Sequence, residues 1–475
     1  MFQRFVLTIA IAGIFAHGIP CKGENLQDMN KYLRDSLPGQ WSYVPERTMA
    51  MPMESNGWWK RFNDSALDTL ITIGMDNNYN LAMALRRTQI ARNAVGQARA
   101  GWMPVVNANA GWTKLRDSGM TDPAPNPATG MSYFSAGLSA SWEIDIFGKI
   151  ASGVKAKKAG YMASRAEYAG AMVSVCAQIA ATYVELRMYQ ELLDIANDHA
   201  ENQMKIVNIA KARFETTLAS KLDVTQALET YYSTTASVPM LENSIHTTIN
   251  ALAVLTGESH DSILHILSTG KHLPDPVQIV EAGVPMDLLR RRPDIAKAEM
   301  ELAAYAAEIG IAKKDFLPTL TLEGEIGTSA HNAKNLFSHN SFTYSITPTL
   351  SWTLFDGLAR KYALASAKET FKAGIDNYNL TVMTAVEEAD NALSTYFHAL
   401  RHVDAIREVI TQNNESLRLA IDRYKNSLSP MNDVVTAQLN SLAAESDLIS
   451  AQGAALSALI SLYEALGGGF DSQNY

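Results

Sequence analysis

The feature that most constrains the fold of this chain is an internal repeat. Motifs from the first half of the 475-residue sequence recur about 210 residues later, in the same order. The matching pairs are Ala212-Arg213-Phe214 with Asp422-Arg423-Tyr424, Leu218 with Leu428, Asp223-Val224 with Asp433-Val434, Leu255-Thr256-Gly257 with Ala465-Leu466-Gly467, Trp142 with Trp352, and Pro104 with Pro318. Since a repeated sequence folds into a repeated structural unit, we predict two similar units, residues 58–258 and 286–469, joined by a linker at 259–285.

The N-terminus has the features of an export signal. Arg4 precedes a short apolar run at residues 5–16, which is too short to span a bilayer and is typical of a signal-peptide core. We predict a signal peptide at residues 1–20 and an extended segment at 21–57, and we assign residues 470–475 to a tail. No later stretch reads as a transmembrane helix, so we expect any membrane insertion to use β-strands.

The two cysteines suggest different roles. Cys21 follows the signal core, where a lipoprotein carries its lipid anchor, but Pro20 fits the cleavage box of a lipoprotein poorly. A lipidated Cys21 and an unmodified one therefore both stay open. Cys176 falls on an apolar helical stripe, which predicts a buried core thiol.

Four segments of about ten residues alternate between apolar and polar side chains. This period is typical of β-strands, which we predict at residues 105–113, 133–142, 319–328 and 342–352. Strands of this length cross a bilayer when tilted, and a polar face that includes Glu323 and Glu325 suits a water-filled lumen. Four strands cannot close a barrel, so several chains must share one. The alternative is a two-faced sheet packed on a soluble core.

The rest of each unit has helical periodicity. We predict helices at residues 64–103, 149–214 and 221–257 in the first unit and at 286–317, 358–425 and 431–466 in the second. The longest helices carry apolar residues at steps of three and four, which is typical of helices wound on one another. Each would be about 100 Å long at 1.5 Å per residue. A kink or break is predicted at Pro239. The expected fold class is α+β, with a long helical coiled-coil barrel and four transmembrane strands per chain.

The order of these parts and several motifs resemble the TolC/OprM family of outer-membrane factors, across nearly the whole mature chain. The motifs are Trp58-Trp59 with Phe62 and Asp64, Ala98-Arg99 before Pro104, the run from Trp142 to Gly148, the run from Asp287 to Ile295, and the run from Leu462 to Gly469. The Arg-Arg-Pro-Asp run and the glycine-rich end are most similar to the outer-membrane lipoprotein branch that serves drug and metal efflux pumps.

The resemblance implies a homotrimer in the outer membrane. Its chains would share a twelve-stranded barrel, with an α-helical tunnel in the periplasm. A periplasmic adaptor and an inner-membrane pump of the RND type would feed the tunnel, and the function would be passive export of small molecules such as drugs. Secretion of protein or polysaccharide through the same architecture is the alternative function. A periplasmic coiled-coil protein without a pore is the alternative fold.

The resemblance also implies where the periplasmic end of the tunnel closes. Arg423 and Tyr424 match the gate pair of the family, and Asp223 and Asp433 lie just past the two helical turns. A charged ring there would hold the helical tips together and bias ion passage. The alternative is that both aspartates only cap or begin the return helices.

Four neighbouring positions complete the candidate site. Leu218 and Leu428 match the family pattern and are our candidates for contact with the adaptor, with ordinary packing at the tips as the alternative. Thr436 and Leu439 depart from it, because a charged pair often stands there. How the gate is held closed is therefore open.

Composition and motifs argue against other functions. The formal net charge is −9, whereas a surface that binds nucleic acid is usually basic, so no nucleic-acid partner is expected. The sequence has no phosphate-binding loop, nucleophile elbow or zinc-helix motif, and its ten histidines show no metal-ligand spacing. We therefore expect no enzymatic activity, no cofactor and no metal. The further partner we expect is the lipid of the outer membrane.

Overall fold

The computed structural model describes residues 48–49, 57–116, 130–268, 272–274, 280–281 and 291–468. The predicted signal peptide, Cys21 and the C-terminal tail lie outside these residues. The described chain is mostly helical and contains one four-stranded antiparallel sheet. A short parallel pairing also joins Thr48–Met49 to Val280–Glu281.

Two units with the same order of elements make up the structure. In chain order the main elements are α1 (Ser65–Asn77), α2 (Tyr79–Ala100), β1 (Val105–Arg116), β2 (Gly130–Ile144), α3 (Lys149–Glu215), α4 (Lys221–Thr256), α5 (His260–Leu267), α6 (Pro293–Lys314), β3 (Thr319–Ala330), β4 (Phe342–Ser351), α7 (Ala359–Lys425) and α8 (Met431–Ala465). The series α2-β1-β2-α3-α4 recurs as α6-β3-β4-α7-α8. Each of these elements in the first unit therefore has a counterpart in the second.

The two longest helices, α3 and α7, each contain 67 residues. At 1.5 Å per residue, each is about 100 Å long. The return helices α4 and α8 begin one short turn later. Pro239 lies inside α4, and the helix continues through it, so of the predicted kink or break the break does not occur. Pro239 is exposed, where the carbonyl group that it leaves unpaired can bind water.

The first helix of unit one is interrupted, which the sequence did not predict. The predicted helix 64–103 is two helices, because Asn78 adopts an extended conformation between α1 and α2. Its side-chain oxygen accepts hydrogen bonds from the backbone of Asn80 and Leu81, and its amide donates to the carbonyl of Leu255 at 2.7 Å. Asn78 therefore competes with the helical hydrogen bonds and caps α2. In unit two, the described helix begins at Pro293, with proline in its first turn.

The four strands form one sheet in the order β1-β2-β3-β4, with every neighbouring pair antiparallel. Each unit contributes one hairpin, and β2 pairs with β3 to join the two hairpins. The strands lie where the alternation predicts them. However, β1 continues to Arg116 and β2 already begins at Gly130, so the first hairpin is longer than predicted.

One face of the sheet is apolar across all four strands. The register aligns Ala108 with Leu138, Leu138 with Ile326, and Ile326 with Tyr344. No described element covers these side chains: Leu138 is 50% exposed and Tyr344 is 74% exposed. A sheet on a soluble core would bury such a face, so the structure contradicts that alternative.

The pairing of β2 with β3 depends on two opposed glycines. Gly137 and Gly327 are register partners. A Cβ atom on Gly137 would lie 2.8 Å from the carbonyl oxygen of Ile326, and one on Gly327 would lie 2.7 Å from that of Ala136. Any side chain at either position would therefore push the two strands apart.

The helices pack side by side in the order α7, α8, α3, α4, and α6 packs against both α3 and α7. A buried tyrosine lies at the centre of the main core. The hydroxyl of Tyr183 donates to the carboxylate of Asp64 and accepts from Nε of Arg187 at 2.9 Å. Arg187 is almost fully buried, and its guanidinium lies over the ring of Tyr183. This network joins the start of unit one to its long helix.

Two helices of the described chain contain a stretch that is long and apolar enough to cross a membrane, judged by length and composition alone. This is contrary to the prediction that no such stretch follows the signal. They are α3 and α8, and 50% and 56% of these windows is buried inside the protein. Because the two helices pack on each other, this apolar surface serves the core of the helical part. Cys176 on α3 is buried as predicted, and burial raises the pKa of its thiol to about 12.

Candidate functional site at the helical tips

The two helical hairpins end in turns with the same backbone geometry. The amide of Leu218 donates to the carbonyl of Arg213 at 2.8 Å, and the amide of Leu428 donates to that of Arg423 at 2.8 Å. In each turn the preceding residue has a positive φ, 62° at Thr217 and 57° at Ser427. This arrangement is the Schellman motif, in which glycine is the usual residue at the positive-φ position. We call the two segments turn 1 (residues 215–220) and turn 2 (residues 425–430).

The two candidate aspartates begin their helices in different ways. Asp223 forms a capping box with Ser220, in which each side chain accepts from the backbone of the other residue. Asp223 therefore caps the start of α4, and its role in a gate stays a prediction. Asp433 lies in the first turn of α8, whose N-cap is Pro430 and carries no side-chain cap. Asp433 is exposed, and its carboxylate has no partner within the described chain.

Tyr424 is buried between the two units. It belongs to a small apolar cluster with Val207 and Ala210 of α3 and Met431 and Val434 of α8. Its ring is only 4% exposed, so the tyrosine packs against the neighbouring hairpin. Burial raises the pKa of the Tyr424 hydroxyl.

The residue that holds the two turns together is Arg213, which the sequence analysis did not single out. Its guanidinium lies 4.8 Å from the centre of the Tyr424 ring. It also donates to the carbonyl of Lys425 at 2.6 Å and to Oγ of Ser427 at 2.8 Å. Arg213 therefore joins the end of α3 to turn 2. The negative charge of Asp223 near Tyr424 adds to the rise in the pKa of that hydroxyl.

The other predicted residues are exposed in the single chain. The side chain of Arg423 has no hydrogen bond or ion pair to any residue that the structure describes. Leu218 and Leu428 project from the tips, with 64% and 68% of their surface exposed. Thr436 is exposed as well. The structure thus buries Tyr424 and makes Asp223 a helix cap, but it leaves the side chain of Arg423 without a partner among the described residues of its own chain.

A polar layer interrupts the apolar packing in the last third of the two long helices. Nε2 of His199 on α3 lies 2.9 Å from a carboxylate oxygen of Glu445 on α8. Ser441 donates to Asn414 of α7 at 3.1 Å, and the amide of Gln203 is buried with no hydrogen-bond partner among the described residues. The hydrogen bond from His199 lowers the pKa of Glu445.

The described residues contain no group of three or more histidine, cysteine or acidic side chains that could hold a metal ion.

The sequence pattern of a known family, described as outer membrane efflux protein, matches residues 71–258 and 284–468. The chain belongs to the outer membrane efflux protein family. The family comprises channels and efflux ducts and is not a family of enzymes. The gap between the two matched segments falls within the linker predicted between the units.

Relatives of known name support the same assignment. The chain is 28% identical to Nodulation protein T of Rhizobium leguminosarum bv. trifolii over 388 residues, covering 80% of this chain and 81% of that protein. It is 28% identical to Outer membrane protein OprJ of Pseudomonas aeruginosa over 443 residues, covering 93% and 92%. Both alignments extend through most of each chain.

Solved structures show the same fold. The outer-membrane channel OprN matches with a TM-score of 0.83 and 26% identity, covering 91% of this chain and 97% of that one. The open state of the MtrE outer-membrane channel of Neisseria gonorrhoeae matches with a TM-score of 0.76 and 26% identity, covering 92% and 96%. This efflux-family protein therefore resides in the outer membrane, and its helical part extends into the periplasm.

Proposed function

We propose that the protein is the outer-membrane duct of a tripartite efflux system and that it works as a homotrimer. The observation that carries the proposal is the sheet with two free edges. Within the described chain, β1 and β4 each pair on one side only. A free edge in lipid leaves backbone groups without hydrogen bonds, whereas three such sheets joined edge to edge would close a twelve-stranded barrel.

The helices support an assembly of the same symmetry. Helix α6 of unit two lies against both α3 and α7. Its counterpart in unit one, α2, packs on α3 and leaves Tyr79, Met83 and Ile90 largely exposed. A second chain that supplied its α7 would cover these side chains in the way that α3 covers α6 within one chain. The exposed side of α2 is therefore one surface of a proposed interface, and α7 of a neighbouring chain is the other.

The proposed cargo is small molecules, such as toxic compounds, collected by an RND-type pump and a periplasmic adaptor. Relatives are named for such roles: one is the Pyoverdine export outer membrane protein OpmQ of Pseudomonas aeruginosa, and another is the Toluene efflux pump outer membrane protein TtgF of Pseudomonas putida. No covalent chemistry is required of the duct, and export through it is passive. Leu218 and Leu428, exposed at the tips, are the proposed contacts for the adaptor.

The helical tips form the proposed periplasmic gate. Tyr424 is buried at the junction of the two hairpins, Asp223 caps the start of α4, and Arg423 and Asp433 are exposed on either side of turn 2. Contacts among the tips hold the end of the tunnel closed. Their loss lets the hairpins spread and widens the passage.

Two measurements test this function. Light scattering of the detergent-solubilised protein, corrected for detergent, is expected to give the mass of three mature chains, whereas a monomer would refute the shared barrel. In planar bilayers, the double variant Arg423→Ala with Asp433→Ala is expected to raise single-channel conductance. The matched control, Glu415→Ala with Arg418→Ala, removes an exposed ion pair of α7 and should leave conductance unchanged. Equal conductance in both double variants would refute the gate assignment.

A further inference from the structure

Each unit has an arginine and a turn of the kind that Arg213 joins, but only one such contact is present within the described chain. Arg213 of unit one binds turn 2, which belongs to unit two. Unit two has the equivalent arginine, Arg423, and unit one has the equivalent turn, turn 1. Within the described chain these two do not meet, because Arg423 has no partner.

We infer that Arg423 binds turn 1 of the neighbouring protomer. Its guanidinium donates to the carbonyl of Glu215 and to the hydroxyl of Thr217 of that protomer, and it lies over the ring of Phe214. These three groups are the repeat equivalents of those that Arg213 contacts in its own chain. The inference rests on the proposed trimer and names an atomic contact between its chains.

The backbone of turn 1 is already arranged to accept this arginine. Each turn closes with amide-to-carbonyl distances of 2.8 Å and 3.0 Å, and the amides of Thr217 and Ser427 make the second of these bonds. The carbonyl that Arg213 uses in turn 2 belongs to Lys425, so the carbonyl of Glu215 has the same position in turn 1. The acceptor geometry is therefore present twice.

The hydroxyl groups give a second, independent observation. Thr217 and Ser427 both have a positive φ, a conformation that is unfavourable for residues other than glycine. At Ser427 the hydroxyl accepts a hydrogen bond from Arg213, which a glycine could not do. The hydroxyl of Thr217 has no partner in the described chain, although the residue has the same strained conformation. The proposed contact supplies that partner.

Burial differs between the two units as the inference requires. Tyr424, which Arg213 covers, is 4% exposed, whereas its counterpart Phe214 is 45% exposed. Val207 of α3 is fully buried against unit two, whereas its counterpart Leu417 of α7 is only partly buried. If α7 of a neighbour packs beside turn 1, the contact would cover Phe214 of one chain and Leu417 of the other. In the trimer, arginine contacts within chains would then alternate with contacts between chains around the tips.

Cysteine crosslinking tests this arrangement directly. In a background with Cys21→Ser and Cys176→Ala, the introduced pair Arg423→Cys with Thr217→Cys tests the contact between chains. The pair Arg213→Cys with Ser427→Cys tests the contact within one chain. The probe is a bismaleimide whose spacer is about as long as an arginine side chain. The first pair is expected to give covalent dimers and trimers on a denaturing gel. The second should stay monomeric, with its internal link detected by mass spectrometry.

The controls separate this inference from the proposed function. Single-cysteine chains report any background crosslinking. A trimer by light scattering whose 423/217 pair gives no more covalent oligomer than the single-cysteine chains would overturn the inference and leave the duct in place. A monomer by light scattering would overturn both.

A conservative variant distinguishes a clamp from a simple charge. Lysine keeps the charge of Arg423 but cannot donate to two acceptors in the fixed geometry of a guanidinium. We expect Arg423→Lys to shorten the lifetime of the SDS-resistant trimer about tenfold, nearly as much as Arg423→Ala, because charged hydrogen bonds are lost. A wild-type lifetime for Arg423→Lys would overturn the clamp.

Discussion

Replacing Gly327 with alanine would test how closely the two hairpins approach within the sheet. A Cβ atom at this position would lie 2.7 Å from the carbonyl oxygen of Ala136 and 3.0 Å from Cα of Gly137. Both contacts are with backbone atoms, which cannot rotate away as a flexible side chain would. Strand β3 must therefore move back from β2 by several tenths of an ångström, which stretches the hydrogen bonds between them. Overpacking of this kind costs about 1–3 kcal/mol per chain.

The proposed assembly contains the substitution three times, so its effect should be plain in the lifetime of the trimer. A change of about 1.4 kcal/mol corresponds to about a tenfold change in an equilibrium constant. We therefore expect the half-life of the SDS-resistant trimer, measured on gels after incubation at one elevated temperature, to fall about tenfold or more.

The matched control lies in the same strand. A Cβ atom on Gly324 would meet nothing closer than the carbonyl oxygen of Ser345 at 4.0 Å, so Gly324→Ala should keep the wild-type half-life. If the Gly327→Ala trimer survives as long as the Gly324→Ala trimer, the two strands tolerate a side chain at their junction. The argument from close approach would then be wrong.

Two further predictions concern the helical part. Tyr183→Phe removes the hydroxyl that links Asp64 to the buried Arg187, and leaving Nε of Arg187 without its hydrogen bond should destabilise the protein by about 1–3 kcal/mol; an unchanged midpoint of thermal unfolding by circular dichroism would contradict this. The pKa of Glu445 is lowered below its ordinary value of 4.5 by the hydrogen bond from His199, so its contribution to stability is present above that pH and is lost as the pH falls through the lowered pKa. Glu445→Gln should therefore lower the unfolding midpoint at pH 7 more than at pH 3.5, and an equal loss at both pH values would contradict the assignment.

The repeat and the strands could be predicted from sequence because their signals are local and strong. Alternation with a period of two is readable wherever one face of a sheet differs from the other, and here the apolar face is continuous. The interruption at Asn78 could not be predicted in this way. It depends on a hydrogen bond from the asparagine to the carbonyl of Leu255, which is distant in the sequence. Helical periodicity does not register such a partner.

The candidate gate was predicted only in part, for a related reason. Motif matching selected Arg423 and Tyr424 but not Arg213, although Arg213 is the arginine that contacts Tyr424. The repeat did contain the signal, because the pair Arg213-Phe214 aligns with Arg423-Tyr424. Which arginine meets which turn depends on how the hairpins pack, and that is a property of the fold. Exposure of the tip leucines likewise became visible only in three dimensions.

The junction between β2 and β3 also bears on how the protein folds. Thr328 donates to the carbonyl of Ala136 across a separation of 192 residues, so this pairing must wait until all of unit one and the first part of unit two have been made. Each hairpin can form by itself, because its two strands are near neighbours in sequence. The pairing of β2 with β3 is slower, because it must close a loop of nearly two hundred residues. We therefore expect the hairpin to be the piece that forms first. Pairing the two hairpins of one chain and pairing hairpins of different chains are then similar late steps. We therefore expect folding of the sheet within one chain and assembly of the barrel from several chains to occur at about the same time.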